Sequence, residues 1–100
     1  MNRDLTPTEG VRLLLERHRE DAAGAAYRAA IYTPTASYEG LATLRDDGSV
    51  TISVEAPAEL VEMLTMAARL LARGAVARRE EGLPAWPARI LRWRGPGRGQ

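Results

Sequence analysis

Tyr38–Arg45 and Val50–Glu55 are two stretches of alternating character joined by Asp46-Asp47-Gly48. This hairpin constrains the fold more than any other segment. Side chains in a strand alternate between faces, so the register across the turn decides which residues lie together. A two-residue Asp47-Gly48 turn sets Arg45 opposite Val50 and Thr43 opposite Ile52, mixing polar with apolar. A type I turn over Asp46-Asp47, with Gly48 as a left-handed bulge, pairs Leu44 with Val50 and Ala42 with Ile52 instead. Gly40, Ala42, Leu44, Val50, Ile52 and Val54 then share an apolar face. Glu39, Leu41, Thr43, Arg45, Ser49, Thr51 and Ser53 share a polar one. Such a division is the mark of an antiparallel sheet covered by helices on one side.

Helical patterns flank the hairpin. Thr6-Pro7-Thr8-Glu9 resembles a capped helix start, and Val11, Leu14, Leu15, His18 and Ala22 follow at helical spacing. With Gly24 as the stop, this predicts a first helix over about residues 7–23. Ala25–Thr33 suits either state through its alanines, but Tyr27, Ile31, Tyr32 and Thr33 tip it towards strand. Pro57 opens a second helix whose stripe is Leu60, Met63, Leu64, Ala67, Leu71 and Ala75, widened by Leu70 and stopped by Gly82. A helix of that length spans ~37 Å, more than so small a sheet can cover. It therefore breaks near Gly74 or projects to meet another chain.

The resulting expectation is a single small α+β domain over residues 1–94. Its order is α-β-β-β-α, an antiparallel meander covered on one face, with Trp86–Arg94 as a candidate fourth strand. Gly95 to Gln100 is expected to be a flexible Gly/Pro/Arg tail. A chain of 100 residues has room for one modest core. No apolar run reaches the ~20 residues of a membrane span, and Met1–Asp4 leads into no signal-peptide core, so the expected location is cytoplasmic, with no membrane partner.

No catalytic set emerges. There is no Cys, hence no thiol nucleophile or zinc-thiolate site, and His18 is the single histidine. On the predicted helix His18 falls on the apolar stripe, the place of a packed structural residue. Asp46-Asp47 is turn chemistry, Glu80-Glu81 closes a helix beside Arg78-Arg79, and the C-terminal glycines lack the setting of a phosphate loop. The expectation is a protein that is not an enzyme and takes no cofactor.

Charge is unevenly placed. Nine acids face six arginines up to Glu55, whereas eight arginines face four acids from Ala56 onward. All basic residues are Arg, a bias that GC-rich coding alone produces. Two binding modes follow. The first is a protein-interaction module, self-associating as a homo-oligomer, with Met66, Leu70, Arg73, Trp86 and Trp93 as candidate contacts and any other protein partner unspecified. The alternative is an accessory nucleic-acid binder using Arg89, Arg92, Trp93, Arg94 and Arg98, since arginine grips phosphate and tryptophan stacks on unpaired bases.

The α-β-β-β-α order over Thr6–Gly82 is similar to that of double-stranded-RNA-binding domains. The resemblance is confined to topology. Pro57–Glu62 carries acids where that family carries a basic cluster, and residues 33–37 lack its groove-reading histidine.

Overall fold

The computed structural model describes Pro7 and residues 9–95. In chain order the elements are β1 (Val11–Glu20), β2 (Gly24–Tyr32), β3 (Ser37–Arg45), β4 (Val50–Val54), α1 (Ala58–Arg73), α2 (Ala75–Glu80) and β5 (Arg89–Arg94). The strands form one antiparallel sheet in the order β4-β3-β2-β1-β5. The two short helices form one bent unit packed on one face, with α1 lying over β4, β3 and β2. Strands come first and the helix after, so the expected α-β-β-β-α order, and with it the topological likeness to double-stranded-RNA-binding domains, does not hold.

The first element is the correction. Val11–Glu20 is a strand, not a helix. Three consecutive leucines satisfy both periods, and tertiary burial decides between them. Leu13 and Leu15 enter the helix-covered core, whereas Leu14 packs on the other face with Ala30 and Tyr32. A strand buried on both faces shows an unbroken apolar run, which also fits a helical stripe. The helix propensity of Leu, Arg and Glu is a few tenths of a kcal/mol per residue and is readily overridden by such burial. His18 accordingly sits exposed beyond a register shift between Arg17 and Arg19, not packed in a core.

Gly24 is not a helix stop but the start of β2. Asp21 closes the β1–β2 turn, its Oδ1 accepting from the backbone N–H of Ala23 (2.8 Å) and Gly24 (3.0 Å). A Cβ at Gly24 would lie 2.2 Å from the Leu44 carbonyl oxygen, so only glycine permits β3 to come this close. The predicted cap at Thr6 and the residues beyond Gly95, Arg98 included, lie outside the described residues.

Elsewhere the pattern holds. Ala25–Tyr32 is strand. The β3–β4 ladder pairs Leu44 with Val50 and Ala42 with Ile52, and Gly48 takes φ +93°. The bulged turn and its apolar face are therefore as expected. Leu64, Ala68 and Ala72 of α1 join Tyr27, Ala29, Ile31, Ala42 and Leu44 in the main core. Alanines on both layers allow close approach.

The long helical pattern breaks at Gly74 instead of projecting. A Cβ there would stand 2.5 Å from Nη1 of Arg78, so the missing side chain makes room for that guanidinium. Arg78 donates to the Leu71 carbonyl at the end of α1 and, through Nε, to the Ala85 carbonyl at 2.9 Å. Gly82, at φ +79°, ends α2 with the 6→1 and 5→2 hydrogen bonds Leu83 N–H to Arg78 O and Gly82 N–H to Arg79 O.

The connection to β5 is fastened to the sheet. The Tyr27 hydroxyl donates to the Pro87 carbonyl (2.7 Å), and the Arg17 guanidinium donates to the Trp86 carbonyl. Trp86 is fully enclosed, and its indole N–H has no acceptor among the described residues. Among the described residues, no helix is long and apolar enough to cross a membrane.

Candidate functional site

Exposed apolar side chains lie beside charged ones on α1 (Met66, Leu70) and on β5 (Leu91, Trp93), while Leu41, Val76 and Leu83 are exposed elsewhere. The buried stripe of α1 is Leu60, Leu64, Ala68, Leu71 and Ala72. Turned away from it runs a second stripe at helical spacing: Glu59, Glu62, Met66, Arg69, Leu70 and Arg73, all exposed. Met66 is 53 % and Leu70 66 % exposed, high for side chains of this size in a small domain. Leu70 widens the outer stripe, not the buried one. Acids occupy its N-terminal part and arginines its C-terminal part, which favours the helix dipole at both ends. None of those four charges is ion-paired among the described residues, in contrast to Arg17–Glu20, Arg79–Asp46 and Arg89–Glu16.

Among the described residues, strand β5 forms one edge of the sheet and is hydrogen-bonded to β1 alone. Alternation divides its side chains. Ile90, Arg92 and Arg94 point to the helix side, where they border a groove of about 260 Å³ against Ala67, Leu70 and Leu71. Arg89, Leu91 and Trp93 lie on the open face, in rows with Glu16, Leu14 and Arg12 of β1. Arg89 approaches Glu16 at 3.6 Å, and the Trp93 indole N–H donates to the Glu9 carbonyl at 3.1 Å. Arg92 and Arg94 have no carboxylate partner among the described residues.

The residues singled out in the sequence are thus only partly brought together. Leu70, Arg92 and Arg94 meet at the groove, and Met66 and Arg73 share the outer stripe of α1. Trp93 is half-exposed on the opposite face of β5 from Arg92 and Arg94. Trp86 is at no surface: with 0 % exposure it is core, which corrects its assignment as a contact residue. Glu59, Glu62 and Arg69 were missed. Glu59 and Glu62 read as dipole-favouring residues of a first turn, although their spacing to Met66 and Arg73 carried the signal of a second face.

The open face of the sheet also holds a hollow of about 510 Å³ over Leu14 and Ala30, walled by Arg28, Glu16, Arg89 and Leu41. Near the turns, Asp21 and Asp47 are held below the usual carboxylate range. Backbone N–H donors do this for Asp21, and the Ser49 hydroxyl and N–H do it for Asp47. Burial pushes the Tyr27 phenol up to about 12. Among the described residues no three His, Asp or Glu side chains converge as a metal ion would require. Compared with protein-family models, with curated proteins and with solved structures, the chain matches none of them.

Proposed function

We propose that this chain is a non-enzymatic protein-interaction module that pairs with a second copy of itself through the outer stripe of α1. The observation that carries this reading is the order of charges along the stripe. A two-fold axis through Met66, with the two helices antiparallel, sets Glu59 against Arg73 of the other copy. It also sets Glu62 against Leu70 with Arg69 next to it, and Met66 against its own copy. Isologous contact demands this self-complementarity, in which each residue meets its partner twice. The helix dipoles run opposed in the same arrangement, and Met66 and Leu70 supply the apolar centre.

Light scattering after size exclusion tests the reading. At micromolar concentration the mass is expected to be twice the 10.9 kDa of one chain. Leu70→Glu reduces it to a monomer. Glu59→Arg or Arg73→Glu alone weakens the pair, and the two combined in one chain restore it. A clean monomer throughout that range ends the proposal.

The second reading, an accessory nucleic-acid binder, draws support from the arginines of β5. What weighs against it is their division: a base stacked on Trp93 lies across the strand from Arg92 and Arg94. Titration of a single-stranded oligonucleotide at low and moderate salt tests it. Use of four arginines, Arg98 included, gives a log–log salt slope near −3, and an absence of measurable binding at low salt ends it.

A further inference from the structure

We infer that the free edge of β5 takes an extended acidic segment of another protein as a sixth, antiparallel strand. The inference goes beyond self-pairing through α1 and uses the backbone edge of β5 and its arginines, with Leu70 alone common to both surfaces.

The hydrogen-bond phase of the β1–β5 ladder decides which backbone groups of β5 face outward. Arg17 N–H donates to the Ala88 carbonyl at 2.8 Å, so the backbone of Arg17 is directed towards the β5 side at this position. In an antiparallel ladder this direction recurs at every second residue. Ile90, Arg92 and Arg94 therefore direct their backbone groups into β1, and Arg89, Leu91 and Trp93 direct theirs outward. One side chain confirms the phase: Nη1 of Arg92 reaches back to its own Leu91 carbonyl at 3.4 Å. The outward N–H and C=O groups of Arg89, Leu91 and Trp93 thus have no neighbouring strand among the described residues, the Leu91 carbonyl meeting only the exposed Arg92 side chain, and the six-residue strand is long enough to template one more.

Charge then selects the occupant. The edge carries Arg89, Arg92 and Arg94. Arg89 alone has a carboxylate nearby among the described residues. A second β5 paired antiparallel about Leu91 would set Arg92 opposite Ile90 and Arg94 opposite Ala88, bring the two Arg92 side chains together on the diagonal, and give neither arginine an acid. An incoming strand with acids opposite the three arginines reverses that sign. Apolar residues opposite Ile90, Leu91 and Trp93 complete it, those facing Ile90 lying beside Leu70 in the groove. The complement of Arg-Ile-Leu-Arg-Trp-Arg, read antiparallel, is Glu-Val-Glu-Val-Ile-Glu.

The test uses that hexapeptide, acetylated, amidated and fluorescently labelled, titrated against the full chain by anisotropy at low salt. Saturable binding is expected. Arg92→Ala and Arg94→Ala each weaken it by about twofold to fivefold, within the range of single cross-strand charge pairs. Both side chains are exposed, so circular dichroism of the variants stays unchanged. N-methylation of the two valines, which pair with Trp93 and Leu91, abolishes binding by removing the N–H groups the edge carbonyls accept. The charge-reversed peptide with Lys for Glu does not bind.

Absence of binding by the acidic peptide overturns the inference, whatever mass light scattering reports for the α1-mediated pair. It is equally overturned if the N-methylated peptide binds as well as the parent, which is plain charge attraction. Binding of a single-stranded oligonucleotide that tracks Arg92 and Arg94 while the peptide does not bind also overturns it.

Discussion

Arg78 and Ala85 are joined by a hydrogen bond of 2.9 Å from guanidinium Nε to carbonyl oxygen, and the same guanidinium caps the Leu71 carbonyl. One side chain thus ends α1, spans the break at Gly74 and holds the connection that delivers β5. Arg78→Met should destabilise the fold by ~1.5–3 kcal/mol, the worth of a hydrogen bond to a charged group. Gly74→Ala should also destabilise, because the added Cβ collides with Nη1, 2.5 Å away. In the Arg78→Met background, however, Gly74→Ala should stabilise by up to ~1 kcal/mol through helix propensity. A double-mutant cycle in urea reads this change of sign, and additivity would refute the clamp.

How much of this was legible in the sequence depended on whether local chemistry or burial decided the outcome. The β3–β4 register was legible because Asp46-Asp47-Gly48 has one turn type that sorts Leu44, Val50 and Ile52 to a single face. The break at Gly74 was legible only as one of two outcomes, because a helix that long has too little sheet to cover and must either break or project. β1 was not, because Leu13-Leu14-Leu15 fits both periods and only the placement of β1 between β2 and β5 distinguishes them. The burial of Trp86 was not legible either: it sits outside regular structure, held through backbone carbonyls on which side-chain identity has no bearing. Arg92 and Arg94 were found from composition, but their separation from Trp93 needed the strand phase.

The core assignment gives a simple contrast. Leu64 is fully buried beneath α1, and Leu64→Ala should cost ~2–5 kcal/mol in denaturant melts. Thr51 lies exposed on the far side of β4, and Thr51→Ala should shift the midpoint little. Ile52, half-buried at the edge, should fall between them. Equal costs for Thr51 and Leu64 would place the helix on the wrong face.

At alkaline pH the Tyr27 phenol governs. Its folded pKa is pushed up to about 12, above the ordinary 10.0. A raised pKa stabilises the fold below the unfolded value and loses that contribution as pH rises from about 10 towards 12. Thermal melts should therefore show a falling midpoint above pH 10. Tyr27→Phe should lower stability at neutral pH by ~1 kcal/mol through loss of the 2.7 Å bond to Pro87, and should flatten the alkaline fall. An unchanged alkaline slope in the variant would remove Tyr27 from this account.

On the acid side the sign is opposite. Asp21 and Asp47 are depressed by their turn hydrogen bonds, so their contribution is present above the ordinary carboxylate pKa and is lost as pH falls through the lower folded values. Asp21→Ala should lower the urea midpoint at pH 7 and weaken the further loss below about pH 4. Identical pH profiles for variant and parent would show that the turn does not need the carboxylate.

The place of β5 beside β1 has a consequence for how the chain becomes a folded molecule. β2, β3 and β4 can zip onto β1 through successive local turns, yet β1 gains its second neighbour only from residues at the far end of the described chain. During synthesis Leu13, Leu14 and Leu15 therefore wait on an open edge while the ribosome works through α1, α2 and the Trp86 connection. Closing so long a loop is slow, and an apolar edge left open meanwhile invites pairing with other nascent chains. The last strand acts as a stopper on the first, and chains shortened before Arg89 should partition into aggregates although every core residue of α1 is present.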